Sequence, residues 1–397
     1  MTLQNDFILF GSTCTNIDSQ GTYAADPNTA GGRPAGILPS MVYNKVSRQA
    51  SYASTALAQL IVSYGLQPAL DNGNVATYAA NLVTAIQAIA TGTAPVAPPV
   101  APGGRLTLTT GTPLIAADII GSTIVYYTPT INASFPLYNG SAWTNPQLSG
   151  DLSLSLTAAA AANDLVDVFG TYSGATPVIG FGPVWGTNTP GSCARGVGAG
   201  TTQISRVNNG LWANTNTITL TNGAASYAGI LAGQATYLGT LAIDAVAGQT
   251  TCHVSYGQSR KWGVWNAYNR FPIALQAGDA TASWTYATPT WRPSNNNSAN
   301  SILTLIGLPE EFLALEFLQS INSNGLANNG IGINSTTSPT GKNGLTGNAL
   351  SDAIAKYILP PSLGLNKITA LEYFQGGVLA VFAGTSASNV LRANYDA

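Results

Sequence analysis

The spacing of apolar residues changes period once in this chain, across TGTAPVAPPVAPGG at 91–104. Before that stretch Val42, Val46, Ala50, Ala53, Leu57, Leu60, Ile61 and Tyr64 recur at three- and four-residue steps, which predicts one stripe of a helix over 40–65. Ser40 is placed to cap its start and Gly65 to end it. Asp71-Asn72-Gly73 reads as a turn, and Asn74 caps a second helix with Val75, Tyr78, Ala79, Leu82, Val83, Ile86 and Ile89 on one face, ended by Gly92. The two predicted helices form an α-helical hairpin. Residues 1–38 carry Pro27, Pro34 and several glycines with few apolar runs, and read as a segment draped over a partner.

After residue 105 the period is two. Asp151–Thr157 alternates strictly, and Thr123–Thr128 is β-branched and aromatic. Further strands are expected at 164–169, 201–207, 216–221, 235–244, 250–256, 282–288, 301–306, 368–374 and 378–383. Asn139-Gly140, Asn209-Gly210 and Asn222-Gly223 are expected turns between them. Residues 310–320 are expected as a strand, and 349–358, with Leu350, Ile354 and Ile358, as a short helix. The fold class is therefore mainly β, a sandwich or jelly-roll-like body behind an N-terminal helical hairpin. The expected boundaries are 1–92 for an attachment domain, 93–104 for a Pro-rich spacer, 105–150 for a small β module and 151–397 for a distal sandwich. The prolines of the spacer favour the extended polyproline conformation.

Charge narrows the function classes. Asp, Glu, Lys and Arg make up 8% of the chain, against roughly 25% in an ordinary soluble domain. Such a surface is solvated by hydroxyls and amides or hidden against partners. A net charge of −2 gives no basic face for nucleic acid. No run of about 18 apolar residues occurs, so no membrane insertion is expected. Residues Met1–Asp6 lack a basic segment followed by an apolar run, so no secretory leader is expected.

The opening NDFILFG, then TYAADP, the helix MVYNKVSRQASYASTALAQLIV and ALDNGNVATYAANL together resemble the N-terminal attachment module of bacteriophage tail-fibre and related virion structural proteins. GGRLTLTTGTPLIAADIIGSTIVYYTP with FPLYNGSAWT is similar to a module of phage fibres. RGVGAGTTQISRVNNGLW, ATYLGT, WNAYNR and SWTYATPTWRPSN carry the same likeness. The resemblance covers most of the chain. It implies a homotrimer, attachment to other tail or baseplate proteins through residues 1–92, and a host surface glycan or protein as distal partner. It also implies a virion component made in the host bacterial cytoplasm. Long fibres have repetitive shafts, and this chain has none. A short fibre, a baseplate-associated adhesin or a head fibre are the forms it admits. A decoration or connector protein without a receptor is the competing class, and a glycan depolymerase the third.

No enzyme, metal site or cofactor is expected. Cys14, Cys193 and Cys252 show no CxxC spacing and are expected as buried reduced thiols. His253 is the one histidine, and its neighbour Cys252 points to the opposite face of a strand, so the two are no dyad. Glycan hydrolysis needs two carboxylates about 5–9.5 Å apart. Asp151, Asp164, Asp167, Asp244, Asp279, Glu310, Glu311, Glu316 and Glu372 are available, and solvated turn positions account for the adjacent pairs Asp164/Asp167 and Glu310/Glu311. Gly196-Val-Gly198-Ala-Gly200 lacks a following helix and acidic partner, so it is no nucleotide loop. Trp262, Trp265, Tyr268 and Arg270 form the densest aromatic and basic cluster. They belong to a core, a subunit interface or a receptor contact. Val42, Val46, Leu57 and Ile61 are the expected oligomer-interface residues of the hairpin.

Overall fold

The computed structural model describes residues 40–90, 101–207, 210–375 and 380–397, with Thr22 and Ala25. The chain divides into two compact units, Met1–Ala97 and Pro98–Ala397. The expected draped segment at 1–38 lies outside the described residues, apart from Thr22 and Ala25. Most of the expected spacer at 93–104 lies outside them too.

In the first unit, the helical periodicity is realised as α1 (Ser40–Tyr64) and α2 (Val75–Ala90). Asn74 caps α2, its Oδ1 accepting the Thr77 N–H at 3.1 Å. Gly65 ends α1 at a close helix contact, since a Cβ there would sit 3.2 Å from that of Ala85 and 2.9 Å from the Ile61 carbonyl. The hairpin core is small: Ala58, Ile61 and Ala69, with Val62, Tyr78 and Leu82 against it.

The second unit is built of strands. Pro102 and Gly103 are buried in it, and the Asn269 amide donates to the carbonyls of Pro102 and Gly104. The end of the expected spacer is thus docked on the β-body. The strand Gly104–Thr107 pairs antiparallel with Ile124–Pro129, which pairs with Leu152–Ser155. An eight-stranded sheet centres on Leu165–Ser173 and Thr236–Ala242, both buried along nearly their whole length. A ten-stranded sheet is organised around Leu313–Ile333. That 21-residue strand takes Gly341–Leu359 along one side. Along its other side it takes, in turn, Asn389–Asp396, Ala380–Ala383 and Gly364–Gln375.

One apolar core joins these sheets, running from Leu106 through Val168, Phe169, Tyr237 and Trp265 to Ile302, Phe317 and Leu391. The strand Ile119–Ser122 also pairs with Thr250–Cys252. The expected boundary between a module at 105–150 and a sandwich at 151–397 is therefore crossed by core and sheet alike. A second, smaller core lies around Trp284, Phe374 and Phe382.

The mainly β fold with an N-terminal helical hairpin is as expected. The expected helix at 349–358 is instead part of the strand Gly341–Leu359. Positions four apart share a face in a strand as well as in a helix, and the alternation of buried Ala353 and Ala355 with exposed Ile354 and Lys356 follows the period of two. The expected strand at 310–320 forms as the first half of Leu313–Ile333. Asn139-Gly140 and Asn222-Gly223 turn as expected, with Gly140 at φ 96° and Gly223 at φ 60°. Asn209 and residues 376–379 lie outside the described residues.

Candidate functional site

The aromatic and basic cluster separates into core and surface. Trp265 is 1% exposed and Trp262 2%, so neither offers a face to a ligand. The reason is local. Gly307 opens a slot for the Trp265 indole, and a Cβ at that glycine would lie 2.1 Å from Cε3. Trp262 packs edge-on against Phe271 with ring centroids 6.0 Å apart. The receptor-contact alternative is corrected for both tryptophans, which are core residues.

Tyr268 and Arg270 lie further out. The Trp212 N–H donates to the Tyr268 hydroxyl at 2.8 Å. Burial pushes Tyr268 up to about 12, against the pull of that hydrogen bond and of Arg206. Arg270 lies over the Trp265 ring at 5.1 Å and pairs with Glu310 at 3.0 Å and Glu311 at 3.3 Å. Arg206 pairs with Glu310 at 2.8 Å and covers Trp212 at 4.6 Å. Glu310 thus joins two arginines, each lying on a tryptophan. The Arg206 side chain is 56% exposed and that of Glu311 is 41%. This corner presents a guanidinium, a carboxylate and an aromatic edge to solvent, groups able to hydrogen-bond and stack on a sugar or peptide.

Arg206 and Trp212 were not singled out from sequence, although a signal was there. Each lies three residues from Asn209 in sequence, a spacing that fits their standing opposite one another in an antiparallel pair, as Trp212 and Arg206 do.

The remaining carboxylates are held by donors. Asp151 accepts from Thr110 and Gly111, and Asp164 from Asn188. Asp167 is fully buried and takes bonds from Arg195, Thr202 and Thr240. Asp244 pairs with Lys261 at 2.6 Å and Glu316 with Arg392 at 2.6 Å. Glu372 is buried beside Trp284 and Arg292, and burial raises its pKa against both of those partners. Asp279 accepts amide N–H bonds from Gln258, Asn295, Asn297 and Asn300 at 3.1–3.4 Å. The paired carboxylates singled out by sequence are therefore not two free groups facing one cleft.

His253 is 9% exposed, and its Nδ1 accepts the Lys261 N–H at 3.0 Å. Burial lowers its pKa, with Arg260 adding to the effect. Cys193 and Cys252 are buried free thiols, and burial raises both, Cys252 to about 12. Cys14 lies outside the described residues. Among the described residues no group of three or more His, Cys, Asp or Glu is placed to hold a metal. No helix among them is long and apolar enough to cross a membrane.

The four hairpin residues also separate. Ile61 is fully buried in the hairpin's own core and Val42 is 7% exposed, so the interface expectation is corrected for Ile61, which packs within its own chain. Val46 and Leu57 are exposed, as are Tyr43, Tyr52, Val83, Ile86 and Ile89. Leu57 also lines an apolar cavity of about 290 Å³ with Leu70, Val75 and Tyr78.

No protein-family model matches the chain, and no curated protein does. Among solved structures, the infectious bursal disease virus VP2 subviral particle aligns at TM-score 0.25 and 13% identity, over 76% of this chain and 75% of that one. The insecticidal δ-endotoxin Cry8Ea1 of Bacillus thuringiensis aligns at TM-score 0.19 and 8% identity, over 74% of this chain and 52% of that one.

Proposed function

We propose that this chain is a structural component of a bacteriophage particle, a short trimeric tail fibre or adhesin whose β-body contacts the host surface. The observation that carries the proposal is the exposed apolar surface of the helical hairpin, whose two helices carry only Lys45 and Arg48 as charged residues. Val83, Ile86 and Ile89 of α2 and Val46 and Leu57 of α1 face outward, and α2 contains no charged residue. A helix pair with so small a core gains its stability by covering such a face. Copies of the hairpin around a three-fold axis would cover it, and other virion proteins would engage the same unit. The sequence resemblance to fibre attachment modules supports the same assignment. In the β-body, the corner of Arg206, Trp212, Arg270 and Glu311 is the candidate receptor contact, with a host glycan or protein as ligand.

The burial of Trp262 and Trp265 favours a second possibility, a head fibre, decoration or connector protein with no receptor. Adsorption competition separates the two. Purified full-length chain is added to host cells before the phage. As an adhesin it lowers adsorption, and Arg206→Ala with Trp212→Ala weakens the competition. A chain that sediments as a trimer but leaves adsorption unchanged contradicts the receptor role. A chain that sediments as a monomer contradicts the trimer.

A further inference from the structure

The strand Gly341–Leu359 is an edge. Among the described residues it pairs on one side only, with Leu313–Ile333. Its other side pairs with no strand among the described residues, with Gly341 of the same chain lying close to the Lys356 carbonyl, and an edge without a strand partner is a template for pairing with another chain. Proteins usually blunt so long an edge with a bulge, a proline or charge. Here a bulge falls near residue 348, where the register to the neighbouring strand shifts between Ile321 and Ser323. From Ser351 to Leu359 the pairing is regular.

The side chains of that regular half are patterned. Alternation along a strand puts Leu350, Asp352, Ile354, Lys356 and Ile358 on one face. Leu350 is 61% exposed, Ile354 40% and Ile358 68%. Asp352 is exposed and accepts a hydrogen bond from the Ser320 hydroxyl, and the Lys356 side chain is 68% exposed and pairs with Glu316 at 3.1 Å across the hairpin. The opposite face holds the buried Ala353 and Ala355. The exposed row reads apolar, acidic, apolar, basic, apolar. Reversed, it reads apolar, basic, apolar, acidic, apolar.

That symmetry defines a partner. If a second copy of the same strand runs antiparallel along the open edge with Ile354 opposite Ile354, then Asp352 faces Lys356 and Leu350 faces Ile358, each pair occurring twice. On the other face Ala353 meets Ala355 and Ser351 meets Tyr357. No like charges oppose each other, and opposite charges directly across an antiparallel pair are stabilising. Lys356, already paired with Glu316 of its own chain, would also face Asp352 of the copy. A residue-centred two-fold axis gives the self-complementary contact expected of a closed dimer interface.

We infer that two copies of this chain join edge to edge through residues 350–358, about a two-fold axis at Ile354, continuing the ten-stranded sheet from one copy into the next. This contact is separate from the three-fold association proposed for the hairpin, which rests on residues 40–90. The two together would give an assembly with an even number of chains.

Cysteine cross-linking tests the register in the full chain, in a Cys14→Ser background. Ile354→Cys lies on the axis and is expected to give a disulfide-linked dimer on a non-reducing gel after mild oxidation. Ile358→Cys alone is expected not to link, because its counterpart across the axis is Leu350. Leu350→Cys combined with Ile358→Cys is expected to link. Ile354→Asp places two carboxylates against each other and should halve the sedimenting mass. Residue 354 is exposed, so thermal unfolding of each variant should match the parent chain. Linking by Ile358→Cys as efficient as by Ile354→Cys overturns the register. A folded Ile354→Cys variant that stays unlinked, with the mass of Ile354→Asp unchanged, overturns the contact.

Discussion

Arg195 grips Asp167 with two nitrogens, Nε at 2.7 Å from Oδ2 and Nη2 at 3.0 Å from Oδ1. Asp167 is the third residue of the buried strand Leu165–Ser173, and Thr202 and Thr240 add hydroxyl bonds at 2.8 and 2.7 Å. The guanidinium also lies over Trp185 at 4.4 Å and Tyr237 at 5.1 Å. Burial alone would lower the pKa of Arg195, but Asp167 and Tyr237 raise it above its ordinary value. Removing one partner leaves the other buried and uncompensated, at a cost of about 3–5 kcal/mol. Asp167→Ala and Arg195→Ala are each expected to lose that much in denaturant unfolding. The double change Asp167→Leu with Arg195→Met should lose clearly less than the sum of the two single losses. Additive losses would show that the pair is not coupled.

Gly307 is required by Trp265. With the Cβ position 2.1 Å from the indole Cε3, Gly307→Ala forces the ring out of its slot. Overpacking of this kind costs about 1–3 kcal/mol. The expected signature is a lower unfolding midpoint together with altered tryptophan fluorescence. Gly111→Ala is a control, because its Cβ would meet nothing within 4 Å and only the positive φ is strained. An unchanged midpoint in Gly307→Ala would contradict the packing.

Stability should fall with pH in two steps. His253 has a folded pKa below its ordinary 6.5 because it is buried. The unfolded chain therefore binds more protons, and stability present above about 6.5 is lost as pH falls through the folded value. Burial alone would raise Asp118 and Asp279, but hydrogen bonds outweigh it. Ser255 and the Val254 N–H bond Asp118, and Thr281, Asn295 and Asn300 bond Asp279. Both carboxyls are held at about 2, below their ordinary 3.8. Their stabilisation is present above 3.8 and is lost between there and about 2. His253→Gln should remove the upper step and leave the lower one, in thermal unfolding followed from pH 8 to 2. A variant that keeps the upper step assigns it to another group.

Val46 and Leu57 lie on the outside of the hairpin while Ile61 lies inside. Val46→Lys with Leu57→Lys should therefore dissolve the three-fold association while helical circular dichroism is kept. Ile61→Ala should instead lower the stability of the hairpin by about 2–5 kcal/mol, the cost of a large-to-small core change. Retention of the trimer by the double lysine variant would place the association elsewhere.

Periodicity and turn chemistry made much of this fold legible. The helices at Ser40–Tyr64 and Val75–Ala90 follow their apolar stripes, and Asn-Gly pairs mark the hairpins at 139–140 and 222–223. The strand Thr176–Val184 escaped because Pro177, Gly180, Gly182 and Pro183 disguise it, yet its glycines fit against Phe169 and Leu220. The helix expected at 349–358 failed because a four-residue repeat serves both periods. The division of Trp262 and Trp265 from Arg270 was not legible, since burial there depends on Gly307 and Phe271, distant or unrelated in local pattern. Arg206 and Trp212 were within reach through their symmetric placement about a turn.

The central claim is that the chain is part of a phage particle and projects from its tail. Electron microscopy of intact particles, labelled with an antibody raised against residues 105–397, addresses it most directly. The account predicts label at the tail tip or on fibres leaving the baseplate. Label spread over the capsid would contradict the tail assignment, and particles without label would contradict membership of the virion.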